Sequence, residues 1–287
     1  MTQAPVLLSF GHGYSARALA PLLLARGWSV IGTTRSAEKA EAIAATGVEP
    51  ALWPPADAEA LVGRATHILI SAGPGEDGDP VLAACGDAIR ARADKITWAG
   101  YLSTTGVYGD RAGGWVDEAS ECRPSTRRGQ WRLAAEEAWQ GIDGLPLHIF
   151  RLAGIYGPGR GPFSKVRAGT ARRIIKPGQV FSRIHVEDIA AVLSASIDRP
   201  NPGAIYNVCD SEAAQPQDVL SHAADLLGVA LPPEVPIEQA EMSPMARSFY
   251  AESKRVSNAR MLRELGVVLR YPDYRAGLAD LLARERA

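Results

Sequence analysis

The sequence is poor in what would make it a disulfide-stapled, metal-binding or membrane-embedded protein. Among its 287 residues are three cysteines, Cys85, Cys122 and Cys209. They are odd in number and far apart, which argues against a disulfide framework or a zinc site and in favour of reduced, buried thiols. No apolar run approaches the roughly 18 residues of a membrane span. Met1 to Pro5 lacks the charged and apolar regions of a secretory leader, so a cytoplasmic chain is expected. Net charge is scarce too. The 31 Lys plus Arg against 32 Asp plus Glu leave −1, which gives no electrostatic case for nucleic acid or an anionic membrane. The arginines at 127, 128, 132, 172 and 173 have no aromatic interleaving of the kind single strands stack on. There is no internal repeat and no low-complexity tract.

What is present is ordinary for a globular chain, with 46% hydrophobic and 22% charged residues. The length suits one large α/β domain, or a nucleotide domain with a smaller second lobe. The informative stretch is Pro5 to Arg35. Val6 to Phe10 is too short for a helix and apolar enough for a buried strand, and Gly11-His12-Gly13-Tyr14-Ser15-Ala16 follows. Ala16, Leu19, Ala20, Leu23 and Leu24 then recur at helical spacing until Gly27, and Trp28 to Gly32 reads as a second strand. Gly11 permits a tight turn and Gly13 lets the backbone approach a diphosphate. Ala16 keeps helix and strand close, and the helix's unpaired N–H groups, at Tyr14 and Ser15, face the phosphates.

About 20 residues further on, where NAD-binding chains carry an acid for the ribose 2′-hydroxyl, stand Thr33-Thr34-Arg35-Ser36. With no carboxylate there, and with Arg35 offering a fork, NADP is favoured over NAD. The alternative is a solvated strand-end arginine. Further strands are expected at Val48 to Trp53, Thr66 to Ser71, Lys95 to Ser103 and Leu147 to Leu152. Helices are expected at Ala37 to Ala45, Pro80 to Ala93, Arg127 to Gln140 and Ser253 to Leu265, with a helix-bearing unit at Asp210 to Leu227. The loop Ala72-Gly73, at a strand's carboxyl end, is a second candidate for cofactor contact. Asp79, before Pro80, fits a helix cap.

Four motifs in order carry a family resemblance. They are the glycine turn, Leu102-Ser103-Thr104-Thr105-Gly106-Val107-Tyr108-Gly109, Phe150-Arg151-Leu152-Ala153-Gly154-Ile155-Tyr156-Gly157, and Arg183-Ile184-His185-Val186-Glu187-Asp188. The chain resembles the extended short-chain dehydrogenase/reductases, the NAD(P)-dependent epimerase/dehydratase superfamily, over nearly its whole length. The resemblance implies an α/β fold: a Rossmann-type doubly wound parallel sheet with a smaller C-terminal substrate lobe. Residues 1–156 would form the nucleotide domain, its sheet completed by later segments at about 180–210. Residues 157–287 would mainly form the lobe, with a hinge at Gly157 to Gly161. Relatives often dimerise through helices of the nucleotide domain, so a homodimer is an expectation of the same kind.

The family's active site is a Ser/Thr, a Tyr and a Lys. The resemblance places Thr104 in the first role, but Arg128 falls on the tyrosine position and Arg132 on the lysine position. Arginine holds its proton at physiological pH and cannot exchange one with substrate. At i, i+4 the two could clamp an anion on one helical face, or simply form an exposed basic face. Tyr108, Tyr156, Arg183 and His185 are candidates for the substrate side, each with a packing or structural hydrogen-bonding role as the bland alternative. These departures resemble the atypical subgroup with an incomplete tetrad. The expectation is an NADP-binding oxidoreductase or epimerase acting on a small, anionic hydroxyl or keto metabolite. The competing expectation is a non-catalytic NADP(H)-binding redox sensor or regulatory protein.

Overall fold

Alternation along the first strand decides the architecture. In β1 (Val6–Phe10) Leu7 enters one apolar cluster while Leu8 and Phe10 enter another, so the strand is covered on both faces, as parallel sheets require. The computed structural model describes residues 4–286, save the side chains of residues 244 and 245. Residues 1–3, part of the stretch read for a leader, lie outside the described residues.

From β1 the chain runs through α1 (Tyr14–Leu24), β2 (Ser29–Thr34), α2 (Ala37–Ala44), β3 (Glu49–Leu52), α3 (Ala58–Gly63), β4 (His67–Ile70), α4 (Pro80–Ala91) and β5 (Trp98–Thr104). The short β6 (Trp115–Val116) precedes α5 (Arg127–Gln140) and β7 (Leu147–Leu152). Then come β8 (Gly154–Tyr156), α6 (Phe163–Arg167), β9 (Arg173–Ile175), β10 (Arg183–His185), α7 (Val186–Asp198) and β11 (Ile205–Val208). The last elements are α8 (Pro216–Leu227), β12 (Glu234–Pro236), α9 (Pro244–Tyr250), β13 (Arg255–Val256), α10 (Ala259–Leu265) and α11 (Tyr274–Arg286).

Seven strands form one sheet in the order β11-β7-β5-β4-β1-β2-β3, every neighbouring pair parallel. This is a Rossmann-type α/β sheet. Leu19, Leu23, Ile189, Val192 and Met261 cover one face, bringing α1, α7 and α10 together. Val62, Val81, Cys85, Ile89 and Trp139 of α3, α4 and α5 cover the other. A separate apolar cluster joins Phe163, Val166, Val219, Ala223, Leu278 and Leu281 of α6, α8 and α11. That cluster lies apart from the two that cover the sheet. The strand order reverses between β1 and β4, and a crevice opens beyond their carboxyl ends at such a switch point.

One segment differs from the sequence reading. Ser253 to Leu265 is not one helix, since the backbone carbonyl of Ser253 accepts from the N–H groups of Arg111 and Gly113 and Arg255 pairs in parallel with Trp115. The helix starts only at Ala259. The helix-bearing unit Asp210 to Leu227 holds α8 from Pro216 on, and before it Ala214 exchanges backbone hydrogen bonds with Phe181.

Candidate functional site

The glycine turn is pinned from two sides. Gly11, at φ +77°, donates its N–H to Thr33 Oγ1 at 2.7 Å. A Cβ on Gly11 would stand 2.9 Å from the backbone nitrogen of Ala72, so only glycine lets the turn lie against the end of β4. Ser71 Oγ closes the same junction by donating to the carbonyl oxygens of Phe10 and Gly11. Gly13 is the N-cap of α1 and has no side chain to occupy the first amides, and the first turn carries no acid. Near Gly13 a Cβ would meet only the Gly11 carbonyl, at 3.7 Å. The helix therefore presents free N–H groups and its positive end to an open space.

That space is a cleft of about 310 Å³ lined by Gly11, Gly13, Tyr14, Ser15, Ser71, Leu102, Ser103, Thr104, Arg132, Leu152, Ala153, Ile155 and Arg160. The lining comes from the carboxyl ends of β1, β4, β5 and β7, plus α1, α5 and the chain after β7. Six sequence candidates meet here: Gly11, Gly13, Tyr14, Ser15, Thr104 and Arg132. Thr104 Oγ1 accepts the Gly106 N–H at 3.1 Å, which leaves its own O–H free to donate. Arg132 donates through Nη1 to the Leu102 carbonyl at 2.8 Å and to Tyr101 Oη at 3.1 Å. Its guanidinium lies 5.5 Å from the Tyr101 ring centroid.

The two arginines read as a pair are separated. Arg132 faces the cleft, whereas Arg128, one turn earlier near the start of α5, is exposed and does not line it. The cause is local. Gly129 packs against Pro124 and the Gly106 carbonyl, where a Cβ would stand 2.8 and 3.0 Å away, so the inward face of this first turn is taken by backbone.

The other candidates lie around the cleft rather than in its lining. Arg35 is exposed just past β2, with no hydrogen bond or ion pair among the described residues. Ser36 Oγ caps α2 by accepting the Lys39 N–H at 3.3 Å. Ala72 touches the turn, and a Cβ on Gly73 would stand 3.3 Å from Arg132 Nη2. Tyr108 is buried, its hydroxyl donating to Asn207 Oδ1 at 2.8 Å and accepting from Arg151 at 3.0 Å. Burial pushes its pKa up to about 12, against the pull of Arg151. Tyr156 Oη reaches the Asp273 carbonyl at 3.4 Å, and burial raises its pKa as well. Arg183 Nη1 donates to the carbonyls of Phe181 and Ala214 at 2.9 and 3.2 Å. His185 caps α7, its Nδ1 accepting the Glu187 N–H at 3.2 Å, between the rings of Tyr156 and Tyr271. Burial holds it neutral, with a pKa of about 4. Asp79 caps α4, accepting from Val81 and Leu82 at 2.8 and 3.1 Å, and its second oxygen accepts from Trp139.

Sequence reasoning missed Ser103, which lines the cleft and whose hydroxyl donates to Glu136. Glu136 is buried and paired with the equally buried Arg151 at 2.7 Å. Arg151 in turn holds the Tyr108 hydroxyl, so a continuous polar chain fixes the Ser103 rotamer from behind. A short apolar β5 motif carries no sign of this, because Ser103 and Glu136 are 33 positions apart. Ser71, Leu152, Ala153, Ile155 and Arg160 were missed for the same reason. No cluster of three metal-ligating side chains occurs among the described residues. No helix among them is long and apolar enough to cross a membrane.

No family profile matches the chain. It is 29% identical to the Escherichia coli K12 protein YeeZ over 276 residues, which cover 92% of this chain and 95% of the relative. The structure superposes on a functionally unknown conserved protein from Silicibacter pomeroyi at 57% identity and a TM-score of 0.93, over 99% of this chain and all of that one. A protein of Methylobacillus flagellatus, provisionally described as an NAD-dependent epimerase/dehydratase, matches at 27% identity and a TM-score of 0.74 over 99% of both chains. The fold is shared at 19% identity and a TM-score of 0.77 with a human epimerase family protein, SDR39U1, solved with NADPH, over 97% of this chain and 99% of the other. With its parallel sheet, glycine turn and switch-point cleft, the chain shares the fold of the NAD(P)-dependent epimerase/dehydratase superfamily.

Proposed function

We propose that the cleft binds a nicotinamide dinucleotide, NADP in preference to NAD, and that the protein is an oxidoreductase or epimerase acting on a small, anionic hydroxyl or keto metabolite. The observation that carries this reading is one cleft uniting the uncapped end of α1 with Ser103, Thr104 and Arg132. The turn and the α1 amides fit a diphosphate. Arg35, exposed and unpaired at the end of β2, fits a 2′-phosphate. One of the similar structures is solved with NADPH and another is described as NAD-dependent.

A bound dinucleotide would supply hydride chemistry. Within the chain, Thr104 would donate its free O–H to a substrate oxygen, and Ser103, its rotamer fixed by Glu136, would present its lone pairs beside it. Arg132 would hold a full positive charge where relatives have lysine. It cannot release that proton, so proton exchange would run through water. Stereospecific exchange of hydride between labelled NADPH and a metabolite pool tests the enzymatic reading, and silence across a broad panel would sink it.

One observation favours a second reading, in which the protein binds NADP(H) as a redox sensor without turnover. Of the cleft-lining side chains, none is a carboxyl, an imidazole, a thiol or a lysine. The Arg132→Lys variant, altered where the cleft is lined, separates the two. Turnover gained by the variant but absent from the parent would mean that the pocket survives and its acid was lost.

A further inference from the structure

The cleft holds a cation that the glycine turn does not explain. After β8 the chain reverses through Gly157-Pro158-Gly159-Arg160. Two antiparallel bonds close the reversal: Gly157 N–H donates to the Arg160 carbonyl at 3.0 Å, and Arg160 N–H to the Gly157 carbonyl at 2.8 Å. Gly157 sits at φ +148°, and a Cβ there would stand 2.6 Å from Tyr14 Oη. The reversal is thus seated directly on the first residue of α1. Tyr14 Oη donates to the Pro158 carbonyl at 2.9 Å, and the Arg160 guanidinium lies 4.9 Å from the centre of the Tyr14 ring.

Arg160 lines the cleft beside Gly11, Gly13 and Ser15, yet among the described residues it has no carboxylate partner. The end of α1 offers only about half a positive charge, whereas a dinucleotide's diphosphate carries two negative ones. A full cation over that end is what the turn alone lacks.

We infer that Arg160 is the second lobe's grip on the diphosphate. Its planar guanidinium, steadied by the Tyr14 ring, pairs with phosphate oxygens that the α1 amides approach from the other side, so a bound dinucleotide ties the lobes together. This rests on the proposed dinucleotide reading of the cleft. The diphosphate is common to both nicotinamide carriers, so Arg160 acts on NADH and NADPH alike, whereas Arg35 acts on NADPH alone.

The experiment is a calorimetric titration of the full chain and its Arg160→Ala, Arg160→Lys and Arg35→Ala variants with NADPH and with NADH, plus inorganic pyrophosphate as a competitor. The expected result is a loss of about tenfold or more in affinity for both carriers in Arg160→Ala, an intermediate loss in Arg160→Lys, and a loss for NADPH only in Arg35→Ala. Pyrophosphate should displace NADPH less well from Arg160→Ala than from the parent. The Arg160 side chain is exposed, so unliganded Tm should not move. Unchanged affinities in Arg160→Ala, or a loss confined to NADPH, would overturn the inference while leaving the cofactor reading intact. A parent protein that binds neither carrier would overturn that reading and this inference with it.

Discussion

At the α1 end of the cleft, the residue types are those a diphosphate site asks for, while at the α5 end the helix side chain that lines the cleft is an arginine, Arg132. The first end is built from backbone: a glycine at positive φ, an uncapped helix start and a strand junction closed by Ser71 and Thr33. The second is built from side chains on a helix whose bounds are intact. Backbone geometry is held by the whole sheet and cannot drift without loss of the fold. Two side chains on a helix surface can be replaced at little structural cost. The α1 end is therefore the more firmly held of the two.

The largest expected effect lies behind the α5 end. Glu136→Gln would leave Arg151 buried without its counter-charge and should destabilise the fold by about 3–5 kcal/mol, read by urea unfolding. A loss under ~1 kcal/mol would mean that water reaches the pair. Next comes acid. Burial lowers the pKa of His12, His67 and His185 to about 4, Arg17 adding to the effect at His12 and Arg26 at His67. Below the ordinary value of about 6.5 the unfolded chain then binds more protons than the folded one. Stability should be complete above that pH and fall as pH drops towards 4, by up to ~1.4 kcal/mol per unit for each histidine. Denaturant midpoints measured between pH 7.5 and pH 4 check the sign, burial of Asp210, whose pKa rises to about 7, offsetting part of the fall; a profile that climbs steadily towards pH 4 would contradict the histidines' burial.

At the α1 end, Gly11→Val places a branched side chain at positive φ against Ala72. It should cost about 2 kcal/mol and abolish dinucleotide binding, measured by thermal unfolding and NADPH titration. The smallest effects return to α5. Arg132→Ala removes the bonds to Leu102 and Tyr101 and should cost about 1 kcal/mol, while Arg128→Ala should stay within about 0.5 kcal/mol and leave NADPH affinity unchanged. Equal effects on binding from the two variants would erase the separation between them.

The same contrast governs what could be read in advance. Buried strands and the helix Arg127–Gln140 announce themselves locally, because apolar runs and periodicity are properties of neighbours in sequence. The paired segments β6 with β13, β8 with β10 and β9 with β12 are two or three residues long and exist only through partners far away. That is why Ser253 to Leu265 looked helical throughout. In the cleft, Gly11, Gly13 and Thr104 were legible from their motifs. Ser71, Ser103 and Arg160 were not, since nothing near them in sequence states which strand ends adjoin. Tyr108 shows the converse. Its position at a strand end suggested access to substrate, but Arg151 and Asn207 hold its hydroxyl inside the core.

Thr33 and Arg35 are two positions apart on the chain and do unrelated work. The threonine is turned inward and anchors the amide of Gly11, while the arginine beyond the strand end is exposed, with no hydrogen bond or ion pair among the described residues. Position 35 can therefore change from one lineage to another without loosening the turn. If coenzyme choice is made there, it can be rewritten by single substitutions long before the site forgets how to hold a coenzyme at all.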